Sequence, residues 1–297
     1  MLDFLDTNVD ISHLSNFKTK ATAKYFFEIK NINDVEKLSD IWDFAKSQKI
    51  DILMVGWWTN MLFAFDEFQW IIIKNSLEWY LYDKKSKELI IYSNHSIRQV
   101  AQDLEQKYKQ PLWHRFIGLP GSIWGAIYGN AGCFWLETES NLTKVDVYDI
   151  KKRAFQTFHK KDCEFEYRES FFKKNKNYFI IKWYFDLRKK VEKYSSDVDN
   201  IKFREEIQPK WNSCGSFFKN PSKEFSAGKL IEQVWLKGFV HGNAYFSEKH
   251  ANFLMTQHDN WDYRDLLYLI DFAQKKVQQE TWFVIIPEVQ IITNKDV

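Results

Sequence analysis

The chain has 297 residues, a hydrophobic fraction of 45% and a net charge of +2 from 42 basic and 40 acidic side chains. That length supports two or three domains with well-buried cores, and so even a charge mixture excludes the broad basic surface of a nucleic-acid binder. The N-terminal stretch carries Asp3, Asp6 and Asp10 in place of a basic and apolar leader. No apolar run approaches the ~20 residues of a membrane span, and Cys133, Cys163 and Cys214 are spaced for neither a disulfide framework nor a metal site. The expectation is a cytoplasmic protein with reduced thiols, no membrane contact and no metal.

In chain order, residues 34–48 predict an amphipathic helix, with Val35, Leu38, Ile41, Trp42 and Ala45 at helical spacing. Residues 52–55 predict a short buried strand, followed by a loop over Gly56 to Asn60, and residues 71–74 a further strand. Residues 80–82 and 89–92 predict a hairpin around a charged turn. A second helix is expected from Ile97 to Tyr108 with Ser96 as N-cap. Strands are expected at 144–150 and 178–187, and a charged helix or linker at 189–208. Residues 227–234 and 262–279 predict helices, the latter with Leu266, Leu267, Ile270, Ala273 and Val277 on one face. Residues 283–292 predict a closing strand, irregular or at an edge because of Pro287. The elements lack a βαβα rhythm, which points to an α+β fold.

Two segments carry chemistry. Gly118 to Gly132 contains five of the ten glycines, so its backbone N–H groups can approach an anion closely. If Ser122 opens a helix, the helix dipole adds to that attraction. The spacing fits neither a nicotinamide fingerprint nor a P-loop. Taken alone, the segment reads equally well as a tight turn packed on a helix. Gly215 to Pro221 places Ser216 between a glycine and two phenylalanines, with Lys219 and Asn220 suited to an anionic group. Arg168 follows Tyr167, and Glu288 sits in an otherwise apolar stretch.

Together these stretches resemble the UDP-N-acetylenolpyruvoylglucosamine reductase family, in its shorter subtype. The matching segments are Gly56–Leu62, Gly118–Gly132, Tyr167–Ser170, Gly215–Pro221, Ala227–Glu232, Ser247–Phe253 and Pro287–Ile292, so the likeness runs through nearly the whole chain. The resemblance implies a two-lobed FAD-binding domain of the vanillyl-alcohol-oxidase/PCMH type and a C-terminal α+β substrate domain, divided as 1–75, 76–190 and 191–297. It implies NADPH as co-substrate and UDP-N-acetylglucosamine enolpyruvate as substrate. Hydride from the reduced flavin would add to the vinyl group, in a monomeric enzyme of peptidoglycan precursor synthesis. Arg168 and Glu288 would flank the enolate-like species and Ser216 would supply the proton. Gly56, Trp57, Trp58, Thr59, Asn60, Gly118, Pro120, Gly121, Ser122, Gly125, Asn130 and Gly132 would hold FAD. Lys219 and Asn220 would meet the substrate diphosphate.

The sequence departs from the family at glycines. Trp57 and Trp58 stand in a loop that is glycine-rich in the family, and Trp124 and Trp135 stand in or beside the second loop at family glycines. Trp235 and Trp282 repeat the pattern near the C-terminus, and Trp70, Trp79, Trp211 and Trp261 extend the set. Glycine numbers 10 and tryptophan 13; their sum is near the roughly 21 glycines expected at about 7%. One reading is a gene in which UGA encodes glycine and has been read as tryptophan. The rival is a drifted, non-catalytic nucleotide-sugar-binding paralogue with impaired FAD binding. Another oxidoreductase of the same flavin fold is a further alternative, against which Arg168, Ser216 and Glu288 argue because they belong to the substrate site.

Overall fold

The computed structural model describes all residues except 1, 57–59, 120, 134–135, 190–201, 203–205, 207, 210–212, 260 and 295–297. Trp57, Trp58, Thr59, Pro120, Trp135, Trp211 and most of the charged stretch 189–208 therefore lie outside the described residues. The chain divides into two units. The first takes Met1–Leu5, Phe27–Trp57 and Ile72–Phe203, the second Asp6–Phe26, Trp58–Ile71 and Arg204–Val297. These boundaries differ from the sequence-based ones at 75/76 and 190/191. Residues 6–26 and 58–71 group with the C-terminal third, the latter through pairing of Met61–Phe63 with Gln290–Ile292, which local periodicity does not reveal.

The first unit is built on a five-stranded antiparallel sheet in the order Ala154–His159, Leu142–Asp149, Tyr178–Asp186, Glu88–Tyr92, Tyr80–Tyr82. Its central strand buries Phe179, Ile180, Ile181, Trp183, Tyr184 and Phe185. Such a continuous apolar run marks a strand covered on both faces. Ala154–His159, at the sheet edge, alternates half-buried and exposed. The predicted first helix is Lys37–Gln48 behind a 3-10 turn at Ile32–Glu36. It buries Leu38, Ile41 and Ala45, and its buried Ser39 hydroxyl donates to the Ile150 carbonyl at 2.8 Å. The second helix is Ile97–Tyr108, and Ser96 caps it as expected, accepting from the Gln99 N–H at 3.2 Å.

The second unit packs the helices Ala227–Gln233 and Arg264–Thr281 on a three-stranded sheet, Val240–His241, Ala244–Phe246, Leu254–Thr256. Leu230, Ile231, Leu266, Leu269, Ile270, Ala273 and Val277 share one core with Phe217, Phe218 and Phe246. The closing strand is shorter than expected. Only Gln290–Ile292 forms a ladder, parallel to Met61–Phe63. Residues 283–289 run as irregular chain, with one isolated bridge between Phe218 and Pro287. Pro287 has no N–H to give a ladder, and Val284 and Ile286 are exposed. Helices and antiparallel strands are thus mixed without repeating parallel units, an α+β fold. Among the described residues no helix is long and apolar enough to cross a membrane.

Candidate active site

In the first unit, the glycine-rich segment is zipped to the loop that precedes the second helix. Ile97 N–H donates to the Gly121 carbonyl at 3.3 Å, Ile123 N–H to His95 at 2.8 Å, and Trp124 N–H to Ser93 at 2.7 Å. Ser122 does open a helix, Ile123–Tyr128, and its hydroxyl accepts from the Gly125 N–H at 3.4 Å. Gly121 lies at φ +106, where only glycine is at ease, and a Cβ there would meet nothing within 4 Å. A Cβ on Gly56 would come within 3.1 Å of the Ser122 hydroxyl and 3.5 Å of the Asn94 amide oxygen. Gly56, Asn94 and Ser122 therefore converge on one concave backbone cradle.

Two side chains of these segments, Asn130 and His95, carry unsatisfied polar atoms. The buried Asn130 amide donates to Glu137 at 3.2 Å and to the Glu166 carbonyl at 3.1 Å, yet its Oδ1 has no partner. Both ring nitrogens of His95 are buried without a hydrogen bond. Burial holds the His95 imidazole below its ordinary value, against the pull of Glu78 and Asp103, so it is neutral. Buried polar atoms of this kind call for a partner, which a water or a ligand can supply. Sequence reasoning passed over Asn94 and His95, because a single His in a polar loop gives no periodic signal.

Arg168 lies at the end of the same segment. It is half-buried, its guanidinium donates to the Asn130 carbonyl at 3.4 Å, and it stacks 5.0 Å from the Tyr167 ring centre. Its own carbonyl accepts from Lys173 at 2.9 Å, and its φ of 60 is left-handed. Next to it, the Ser170 hydroxyl donates to the Tyr128 carbonyl at 2.7 Å. Burial, helped by Glu169, pushes the Tyr128 hydroxyl up to about 12, so it stays protonated across the physiological range.

In the second unit, Ser216 and Glu288 stand on neighbouring extended segments joined through Phe217. The Phe217 carbonyl accepts from the Glu288 N–H at 2.7 Å, and the Phe217 N–H donates to the Asn252 carbonyl at 2.7 Å. Ser216 bridges Phe253, is exposed, and follows Gly215 at φ +85. The Asn252 side chain, 2% exposed, grips Phe218 with both ends: Oδ1 accepts from the N–H and Nδ2 donates to the carbonyl, each at 2.9 Å. His250 Nδ1 accepts from the Asn252 N–H at 3.2 Å, which places the ring proton on Nε2. The residues on either side of Phe217 are thereby held in a defined register.

The remaining expected residues fall in this unit with structural duties. Asn60, expected at the flavin, donates to the Glu288 carbonyl at 3.3 Å and accepts from the Gln290 N–H at 3.0 Å. Asn220 Oδ1 accepts from the Ala227 N–H at 3.0 Å at the head of the helix Ala227–Gln233. Lys219 pairs its N–H with the Ile286 carbonyl at 2.8 Å and is half-buried.

Removing the Asn252 clamp has a defined cost. Asn252→Ala orphans a buried N–H and a buried carbonyl of Phe218, about 1–3 kcal/mol for each group, and is expected to lower the denaturation midpoint accordingly. Asn252→Asp keeps the acceptor and loses the donor. Equal losses in the two variants would show that the grip is not two-handed.

Comparison with known proteins gives the family. Residues 208–292 match the family described as UDP-N-acetylenolpyruvoylglucosamine reductase, C-terminal domain. The UDP-N-acetylenolpyruvoylglucosamine reductase of Prochlorococcus marinus subsp. pastoris is 31% identical over 296 residues, spanning 96% of this chain and 95% of that one. This chain belongs to the UDP-N-acetylenolpyruvoylglucosamine reductase family. The reductase of Thermotoga petrophila is 32% identical over 263 residues, 84% of this chain and 89% of that one. The crystal structure of the Thermus caldophilus reductase superposes with a TM-score of 0.74 at 21% identity, over 98% of this chain and 100% of that one. The fold is therefore the one expected from the resemblance, and the segments Gly118–Gly132 and Gly215–Pro221 occupy a shared architecture.

Proposed function

We propose that this family member binds FAD in the Gly56–Asn94–Ser122 cradle and uses NADPH to reduce UDP-N-acetylglucosamine enolpyruvate to UDP-N-acetylmuramate, a step of peptidoglycan precursor synthesis. The observation that carries the catalytic part is the Phe217 link, which places Ser216 and Glu288 on adjacent segments with shared hydrogen bonds. The residues present fit a flavin. The cradle offers glycine backbone at Gly56, close to the Ser122 hydroxyl and the Asn94 amide, with Gly121 in a glycine-only conformation beside them. When bound, the flavin supplies two-electron reduction of the enolpyruvyl double bond.

The chain's own groups do the rest. Arg168, a permanent cation, attracts the substrate carboxylate and the negative charge that develops beside it. Ser216, poised after a left-handed glycine, delivers the proton to the carbon that bears that charge. Glu288, its backbone pinned by Asn60 and Phe217, is the carboxylate that the family resemblance pairs with Ser216 in this step. Lys219 meets the diphosphate, with Asn220 in its capping role beside it. The protein acts as a soluble cytoplasmic monomer.

An absorption spectrum tests the assignment. Protein purified with glycine at positions 57, 58 and 124 is expected to carry a flavin band nearly stoichiometric with protein. A colourless protein that still binds the nucleotide sugar would favour the non-catalytic paralogue instead.

A further inference from the structure

We infer that positions 235 and 282 are glycine in the protein as its gene encodes it, specified by UGA codons, and that one decoding rule also makes positions 57, 58 and 124 glycine. The first half stands on backbone geometry alone; the second rests on the flavin-site reading above.

The two positions end two helices in two recognised ways. After Ala227–Gln233, the Trp235 N–H donates to the Glu232 carbonyl at 3.0 Å and the Leu236 N–H to the Ile231 carbonyl at 3.1 Å. That crossed pair is the Schellman closure, and the packing of Leu236 and Ile231 in one core completes it. After Arg264–Thr281, the Trp282 N–H donates to the Gln278 carbonyl at 3.0 Å, the single bond of the left-handed cap. Both closures put one residue in the left-handed region, and here those residues are Trp235 at φ 60 and Trp282 at φ 66. Glycine takes this conformation freely, while the Cβ of an L residue crowds its own carbonyl.

A side chain alone does not rule the site out. Lys49 and Lys109 hold the same conformation after the helices Lys37–Gln48 and Ile97–Tyr108. A lysine there is hydrated and lies at the negative end of the helix dipole. An indole gains neither benefit. Trp235 is 85% exposed and Trp282 is 90% exposed, so no burial offsets the backbone strain.

Other tryptophans are used as tryptophans. Trp113 and Trp183 are 1% and 0% exposed; Trp113 packs edge-on to Phe185 at 4.8 Å and Trp183 edge-on to Phe172 at 5.9 Å. The same residue type therefore fills two opposite physical roles in one chain. Trp124 is intermediate: its backbone is not left-handed, but its indole lies 3.9 Å from where a Cβ on Gly56 would sit, inside the cradle. Independent mutations away from glycine would scatter over small residues. A single reassigned codon explains tryptophan at each of these positions, because UGA differs from UGG in its third letter and from the glycine codon GGA in its first.

The gene and the protein both test this. UGA is expected at 235, 282, 57, 58 and 124, and UGG at the core positions 113 and 183; UGG at 235 or 282, or UGA at 113 or 183, overturns the inference. In the chain as written, Trp235→Gly and Trp282→Gly are each expected to raise Tm by about 2–4 °C, whereas Trp183→Gly lowers it. No rise at 235 and 282 overturns the backbone argument. A protein stabilised by those two changes that still takes up no flavin after glycine is restored at 57, 58 and 124 would count against the flavin-site reading and leave the helix-cap result standing.

Discussion

Ser216→Ala is expected to slow reoxidation of the reduced enzyme by substrate about 10²–10⁴-fold, the usual worth of a positioned proton donor, and to leave reduction by NADPH unchanged. The change removes one hydroxyl from an exposed residue and no hydrogen bond of the core. The Phe217 and Phe218 ladder bonds are all backbone or Asn252 contacts, so the segment keeps its register. Stopped-flow measurement of the two half-reactions separates them. Equal slowing of both would mean that Ser216 shapes the site without supplying the proton. A serine hydroxyl is a weak acid in water, so the assignment also demands that the carbon receiving the proton be strongly basic, as an enolate-like centre is.

Glu288→Gln is expected to lower the rate of the same half-reaction about 10²-fold, the lower end of what one well-placed polar group is worth in a transition state, with little change in substrate affinity. Glutamine has nearly the same shape, and it keeps the two backbone contacts of residue 288, the N–H to Phe217 at 2.7 Å and the carbonyl to Asn60 at 3.3 Å. The substitution therefore changes charge and proton-holding ability while the backbone anchors stay. A raised KM with unchanged kcat would assign Glu288 to uniform substrate binding and remove it from the chemistry.

Much of the local architecture was legible before the fold was known. The strand Ile52–Val55 and the helix Ile97–Tyr108 with its Ser96 cap were expected from periodicity and capping chemistry, and a helix opening at Ser122 was raised only as a condition. Each depends on residues within a turn or two of one another, and side-chain spacing reports such contacts directly. The strand Thr22–Ile29 was missed, since its run mixes polar and apolar residues and its partners lie at Asp6–Asp10 and beyond. The overlong closing strand failed for a related reason: residues 283–292 are apolar enough, but ladder formation depends on the partner at Met61–Phe63, which reaches only the last three.

For the site, the glycine count was readable from composition, while Arg168, Ser216 and Glu288 were singled out by the family resemblance. The sequence by itself pointed to an α+β member of the reductase family with a glycine-rich segment suited to an anion, and it exposed the anomalous tryptophans through composition. Only the tertiary structure decided what holds the candidate residues. It turned Asn60 and Asn220 into backbone anchors, brought Asn94 to the cradle, and set Asn252 as a two-ended clamp. It also separated the tryptophans into buried aromatics and strained helix caps. The physical reason is common to all of these. Hydrogen-bond partners and left-handed backbone are properties of where the chain returns to itself, and a linear pattern of residue types carries that information only where the returning segment is close in sequence.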